Sequence, residues 1–376
     1  MKEVEIKPTY YNKFKCSADK CLYSCCINWN ISFDDEAIEK YACLNDEELS
    51  EYILNNISPA TKKATLKKGY CPFLDVDSLC KIQKKCGEDF LCTTCKTFPR
   101  IRRTIGNIIK RDIDIACPEV LKIIKNEKIF TDNYVVEIKE DKCELLKLGE
   151  INKKYFKQLF NLLKFVYNKK YNYKKNMFIL LNFANDCTKF ISKKTNKGFN
   201  AFKNKFNEDY FNCLAKQYSP KKDESFLEQF QSDIFSFSEE KISNKDFYFL
   251  REKYKELNFK DKQTIKQNKK INKLIDTTLN LNNLFFYIIN LTITDSIKFN
   301  NFLDNVKFAI INICFLKLYG ITKFDITKQK TINNLYVLMS CIFRTTFHSK
   351  FFDNLSEMLS IKLLSTDNLI KYTLSI

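Results

Sequence analysis

The spacing of hydrophobic positions predicts a helical second half for this chain. Apolar residues recur at three- and four-residue intervals in segments 155–167, 176–190, 281–292 and 300–319. This spacing places apolar side chains along one face of a helix. Residues 221–376 contain no proline and one glycine, so little interrupts such helices. We therefore expect a bundle of about seven to ten helices after residue 146.

The first part of the chain carries shorter and less regular signals. Residues 29–33 alternate between apolar and polar side chains, which predicts a short strand. Asp34 or Asp35 then stands where the N-cap of a helix through residues 37–42 would lie. Residues 47–56 form a second predicted helix.

A hairpin and a helix start are predicted just before residue 120. Residues 99–103 and 108–115 alternate around Gly106 and Asn107, a pattern typical of two strands joined by a tight turn. Pro118 follows Cys117 and suits the first position of a helix, where its missing N–H is not needed.

Composition divides the chain near residue 145. Eleven of the sixteen cysteines and five of the six prolines lie in the first 118 residues. We expect an α+β fold that is mostly α: a small irregular Cys-rich metal-binding module with short strands (1–145), then an all-helical domain (146–376).

The scarcity of histidine and glycine excludes several common kinds of site. His348 is the one histidine of the chain, which excludes zinc sites built on two histidines within it. The six glycines are too widely spaced for a G-x-G-x-x-G or Walker loop, so a nucleotide-type phosphate cradle is not expected. We expect His348 to be a satisfied surface or core histidine rather than a catalytic one.

The cysteines point to metal rather than disulfides. The N-terminal residues carry no apolar segment of the kind found in secretory signals, so we expect a cytoplasmic protein. No apolar run is long enough to predict a membrane span, and Asn312 and Lys317 interrupt residues 308–318. Dense cysteines inside cells more often bind metal. The isolated later cysteines are expected to be small buried apolar residues.

The spacing of the cysteines leaves the metal open. Cys92-x2-Cys95 is a plain C-x2-C pair, but the zinc knuckle that would complete it is irregular. An iron–sulfur cluster also takes four cysteines and accepts such spacing. Cys21-x3-Cys25 begins like the radical S-adenosylmethionine motif, but Asn28 stands at its third cysteine position, so that motif is absent.

The positive charge of the chain is mostly diffuse. The formal net charge is +18, but the lysines are spread over the whole length, which argues against a nucleic-acid surface. Four of the six arginines, however, lie within twelve residues: Arg100, Arg102, Arg103 and Arg111. Arginine suits planar anions, so the cluster hints at a substrate site, although an exposed strand face accounts for it more simply.

Several ordered motifs in residues 6–125 resemble the flagellin lysine-N-methylase family. They are Pro8-x-Tyr10-x3-Phe14-x-Cys16-x4-Cys21-x3-Cys25-Cys26-x2-Trp29, Cys71-Pro72-Phe73-Leu74, Leu79-Cys80-Lys81-Ile82, Gly87-Glu88, Thr94-Cys95-x3-Pro99-Arg100 and Cys117-Pro118-Glu119. The resemblance implies N-methylation of lysine side chains, with S-adenosylmethionine as methyl donor and flagellin as protein substrate. It also implies a metal centre, for which we expect a [4Fe-4S] cluster ahead of zinc.

The resemblance also implies which thiols serve the metal. The family-like cysteines are Cys16, Cys21, Cys25, Cys26, Cys71, Cys80, Cys95 and Cys117. Because one cluster takes about four ligands, we expect the others to be structural or to serve a second metal. Cys92 lies where the family has a less fixed residue and Cys86 where a hydrophobic one is common, while Cys43 has no recognised counterpart.

Methyl transfer to lysine requires groups that desolvate and orient a neutral amine. Tyr70, Asp112, Asp114 and Glu119 lie near the cysteine motifs and are candidate catalytic residues, although a solvent-facing or capping role is favoured for each. Arg100 is a candidate for binding the methyl donor. The alternative function is a non-enzymatic zinc or iron–sulfur protein that binds nucleic acid or a protein partner; an iron–sulfur redox or metal-delivery protein is a third possibility.

Overall fold

A computed structural model gives the fold of most of the chain. It describes residues 3–28, 31–105, 108–130, 134–139, 150–192, 195–242, 245–299, 301–323, 328–348, 357, 360 and 362–376.

Short helices and turns build the Cys-rich part. The helices are α1 (Asp35–Ala42), α2 (Glu47–Asn55), α3 (Lys81–Cys86), α4 (Thr93–Thr97) and α5 (Pro118–Ile124). Asp34 caps α1 by accepting a 3.0 Å hydrogen bond from the backbone N–H of Ala37. Pro118 occupies the start of α5, with Cys117 as its N-cap. Both helix starts predicted from the sequence are confirmed.

A four-stranded sheet lies beside these helices. Its strands are β1 (Glu3–Pro8), β2 (Arg100–Ile105), β3 (Ile108–Ile113) and β4 (Tyr134–Lys139), in the order β2-β3-β1-β4. The predicted β2–β3 hairpin is confirmed as an antiparallel pair, while β1 pairs parallel to β3 with Val4 opposite Ile108.

The strand predicted over residues 29–33 is not present in the part described. Ser32 makes only an isolated antiparallel bridge to Lys63, and Trp29 and Asn30 lie outside the described residues. This segment has no neighbouring strand long enough to extend the pairing, so its alternation alone does not produce a ladder.

Helices form the rest of the described chain. They are α6 (Glu150–Asn168), α7 (Tyr173–Ser192), α8 (Asn196–Lys205), α9 (Glu208–Gln217), α10 (Glu224–Lys241), α11 (Lys245–Lys255), α12 (Lys262–Thr278), α13 (Leu281–Phe299), α14 (Phe302–Tyr319), α15 (Lys328–Phe347) and α16 (Thr366–Ser375). The α+β, mostly α class is confirmed. The described residues after 146 already hold more helices than the seven to ten expected, because short segments such as α8 and α9 each form a separate helix.

Two groups of buried side chains hold the fold together. The buried residues of one lie within residues 31–92 of the Cys-rich part. The other joins Tyr10, Phe14 and residues 108–130 to the helices, so the sheet and α5 pack into the helical core. The predicted boundary at residue 145 falls within 140–149, outside the described residues.

One described helix is long and apolar enough to cross a membrane by length and composition. This stretch is Phe302–Lys323, and 89% of the 18-residue window within it that meets the test is buried inside the protein. Such burial is typical of a core helix, which passes the same test.

Candidate functional site at the junction of the thiols and the helices

The fold gathers the eight cysteines that the family motifs contain. Each interacts electrostatically with at least one other: Cys16 with Cys21, Cys21 and Cys117 with Cys25, and Cys25 or Cys26 with Cys71, Cys80 and Cys95. Cys25 takes part in most of these interactions. The motifs are separated by up to a hundred residues, yet their thiols form one continuous group.

A chain of hydrogen bonds orders the ionisation of three of these thiols. Cys26 donates to Cys71, and this bond lowers the pKa of Cys71. Cys25 in turn donates to Cys26, which lowers the Cys26 pKa, but the bond to Cys71 and burial outweigh that effect and raise it to about 12. The bond to Cys26 and burial raise the pKa of Cys25 well above its ordinary value. Cys71 is therefore the thiol of the three that holds a negative charge best.

Cys92 and Cys95 form a second pair beside the first. Their mutual hydrogen bond lowers the pKa of Cys92 and, together with burial, raises that of Cys95. Cys92 is 1% exposed and also interacts with Cys80. The family motifs leave Cys92 out of the predicted ligands, whereas in the fold it interacts with two cysteines of the thiol group, Cys80 and Cys95.

The thiol group suits a metal in its chemistry but is not arranged around a single ion. Thiolates are the preferred ligands of zinc and of iron–sulfur clusters, and a bound cation deprotonates thiols that otherwise resist ionisation. Within the described residues, however, no three His, Cys, Asp or Glu side chains are placed so that they could hold one metal ion. None of the described cysteines forms a disulfide.

The remaining described cysteines differ in how far they are buried. Cys43 is exposed and Cys86 is half-buried, while Cys187, Cys314 and Cys341 are buried as expected. Cys213 is exposed, which contradicts the expectation that all the later cysteines are buried: it lies on an outer face of α9. Cys143 lies outside the described residues.

Arg344 connects the helical core to the thiol loops. It lies in α15 with 3% of its surface exposed, and its Nη1 donates to the carbonyls of Ser24 at 3.0 Å and Ile27 at 2.8 Å. Its Nη2 donates to the carbonyl of Ala116 at 3.0 Å, next to Cys117. These bonds hold two cysteine-bearing segments against one helix, and the positive charge opposes the rise in the pKa of Cys25.

Asp112 is buried in a structural network rather than solvent-facing. Its Oδ2 lies 2.7 Å from Lys110 Nζ and accepts a 3.2 Å bond from Asn290. Its Oδ1 accepts a 2.7 Å bond from the hydroxyl of Tyr287. The expectation of an exposed or capping residue is therefore wrong for Asp112, since β3 packs this face against α13.

Asp114 pairs with the single histidine. Its Oδ2 lies 2.5 Å from His348 Nε2, and its Oδ1 accepts a 2.8 Å bond from the backbone N–H of Ala116. Asp114 is 1% exposed, so the solvent-facing role favoured from the sequence is wrong for it as well. The His348 side chain remains 28% exposed. As expected, His348 is satisfied, but its partner lies at the start of the segment that leads to Cys117.

The other three candidates are two exposed residues and one partly buried residue of α5. Tyr70 is 52% exposed, and Glu119 pairs with Lys122 at 2.7 Å along α5. Arg100 is exposed, with its guanidinium 5.8 Å from the ring of Tyr11 and 5.2 Å from that of Phe14. The structure does not bring these three side chains into the thiol group.

Arg103 connects the arginine cluster to the helices. Its Nε donates to Asp295 of α13 at 2.8 Å, and its guanidinium lies 5.3 Å from the ring of Phe347. Phe347 is in turn in edge contact with His348, with ring centroids 5.0 Å apart. Arg103 and His348 thus both contact the ring of Phe347.

Comparison with curated proteins shows the family. The chain is 34% identical over 136 residues to the flagellar biosynthetic protein FliU of Salmonella muenchen, a match that covers 80% of that protein and 34% of this chain. The chain belongs to the flagellin lysine-N-methylase family. Its identity to two other members, the lysine-N-methylases of Salmonella typhimurium and Salmonella choleraesuis, is also 34% over 136 residues.

The match to these two members of the family is partial. The chain spans about a third of the length of each lysine-N-methylase, 34% in both. No family profile matches the chain, and no solved structure is similar to it.

Proposed function

We propose that this chain is a protein-lysine N-methyltransferase that uses S-adenosylmethionine and acts on flagellin. The observation that carries the proposal is its 34% identity to proteins named lysine-N-methylase, together with the match to a flagellar biosynthetic protein. We place the reaction in the cytoplasm, where thiols stay reduced and S-adenosylmethionine is made.

The reaction sets a clear demand on the protein. The lone pair of a neutral lysine amine forms a bond to the methyl carbon, the carbon–sulfur bond of the sulfonium breaks, and its electron pair stays on sulfur. One proton of the amine must leave, because a lysine with its ordinary pKa of about 10.4 is almost fully protonated at neutral pH. The site must therefore orient the amine and accept a proton.

We propose that the thiol group holds a [4Fe-4S] cluster, with zinc as the alternative. About four ligands are drawn from Cys25, Cys26, Cys71, Cys80 and Cys95, whose mutual interactions and soft donor atoms support the assignment. A centre bound there would join the loops that carry these cysteines and, if it contains iron, could exchange single electrons.

The experiment is transfer of an isotopically labelled methyl group. Anaerobically purified protein is incubated with labelled S-adenosylmethionine and flagellin, and the modified residues are located by mass spectrometry. The proposal predicts label on lysine Nε and none on flagellin whose lysines have been acetylated beforehand. Absence of label on flagellin and on every protein of a matched extract would contradict it; binding of nucleic acid without transfer would support the non-enzymatic alternative.

A further inference from the structure

We infer that His348 is the proton acceptor for the substrate lysine and that Asp114 positions it; this assignment rests on the proposed methyl transfer. The single histidine of the chain lies immediately after α15, with its Nε2 2.5 Å from a carboxylate oxygen of Asp114. The histidine is partly open to solvent, whereas the aspartate is not. A buried carboxylate behind a reachable imidazole is the arrangement that a general base requires.

Asp114 is itself fixed by its surroundings. Its Oδ1 accepts the Ala116 N–H at 2.8 Å, and its own backbone N–H donates to the carbonyl of Pro99 at 2.7 Å. These bonds orient Oδ2 toward the imidazole. The carboxylate then holds the proton of the neutral ring on Nε2, so Nδ1 carries the lone pair. When Nδ1 takes the proton of the amine, the charge of Asp114 stabilises the imidazolium that forms.

The neighbouring carboxylate does not offer the same chemistry. Asp112 is held by Lys110 at 2.7 Å and by Tyr287 at 2.7 Å, and 2% of its surface is exposed. An amine cannot reach it without breaking a buried ion pair, which would be strongly destabilising. Of the two aspartates, Asp114 alone has a partner that extends to the surface.

A second observation concerns Arg103, whose guanidinium lies 5.3 Å from the ring of Phe347, the residue before His348. Arg103 Nη1 is buried and has no hydrogen-bond partner among the described residues, although its Nε is paired with Asp295. The Oγ1 of Thr294, the residue before Asp295, is likewise buried without a partner in the described part of the chain. Buried polar atoms are normally satisfied, so a donor left over at this position indicates an acceptor that the ligand brings. A carboxylate or a peptide carbonyl of the substrate complex fits a guanidinium edge.

The test compares two substitutions at the same position. His348→Gln keeps an N–H donor for Asp114 but cannot accept a proton, and His348→Ala leaves room for imidazole from the buffer. We expect kcat to fall by roughly 10²- to 10⁴-fold in both variants, with the KM for flagellin changed much less. Added imidazoles should restore the rate of His348→Ala, and more basic imidazoles should restore it further.

Controls separate a chemical role from a structural one. Metal content and thermal midpoint are measured for each variant. Replacing a merely structural histidine would lower both, and imidazole would not restore the rate of methyl transfer. Rates within about twofold of wild type, or a loss that no imidazole restores, would overturn the assignment of His348 while leaving the proposed function intact. A wild-type protein that transfers no methyl group would overturn both.

Discussion

Replacing Arg344 with Met should loosen the attachment of the thiol loops to the helical core. The guanidinium makes three hydrogen bonds, to the carbonyls of Ser24, Ile27 and Ala116, and each charged bond contributes about 1.5 kcal/mol at the low end. The gross loss is thus roughly 4–5 kcal/mol. Removing a buried charge recovers part of this, so we expect the free energy of unfolding to fall by about 3 kcal/mol.

The assay follows urea unfolding together with metal retention during dialysis. Arg251→Met is the matched control, because Arg251 is also buried and donates to two carbonyls, those of Ser238 and Ile242, within the helical part. Both variants should lose stability, but only Arg344→Met should release metal faster. Equal metal retention in the two variants would contradict this prediction, since of the two arginines it is Arg344 that is bonded to the segments carrying Cys25 and Cys117.

Two further predictions concern individual cysteines. Cys71→Ser should lower the metal bound per chain after anaerobic purification, because it removes a thiol whose pKa is lowered by its bond to Cys26, whereas the exposed Cys213→Ser should bind as much metal as wild type. Burial raises the pKa of Cys314 from its ordinary value near 9 to about 12, so its contribution to stability is complete below pH 9 and is lost as the pH rises toward 12. At about pH 10.5 this loss is roughly 2 kcal/mol. The free energy of urea unfolding should therefore fall less between pH 8 and 10.5 for Cys314→Ala than for the wild type. An equal fall in the two proteins would contradict the prediction.

Local features of the fold were predictable because they depend on neighbouring residues. The Asp34 cap, the Pro118 start of α5 and the β2–β3 hairpin each follow from a few adjacent positions. The parallel pairing of β1 with β3 does not, since Val4 lies opposite Ile108 and no periodicity links the two segments.

The sequence motifs single out the thiols of the candidate site, whose metal binding stays a prediction, but not their polar partners. Family motifs identified eight cysteines that the fold brings together, but Cys92 enters only through its contacts with Cys80 and Cys95. The bond between Asp114 and His348 spans 234 positions, which spacing cannot reveal. A signal did exist for Arg344: a charged residue inside an otherwise apolar stretch of α15 requires a partner when it is buried.

The most direct measurement is labelled methyl transfer to flagellin on one preparation, before and after its metal is removed. We expect label on lysine Nε from the metal-loaded protein, which should contain about four iron and four sulfide per chain, and loss of transfer once they are gone. Absence of transfer from the loaded protein, or undiminished transfer from the metal-free chain, would contradict this expectation.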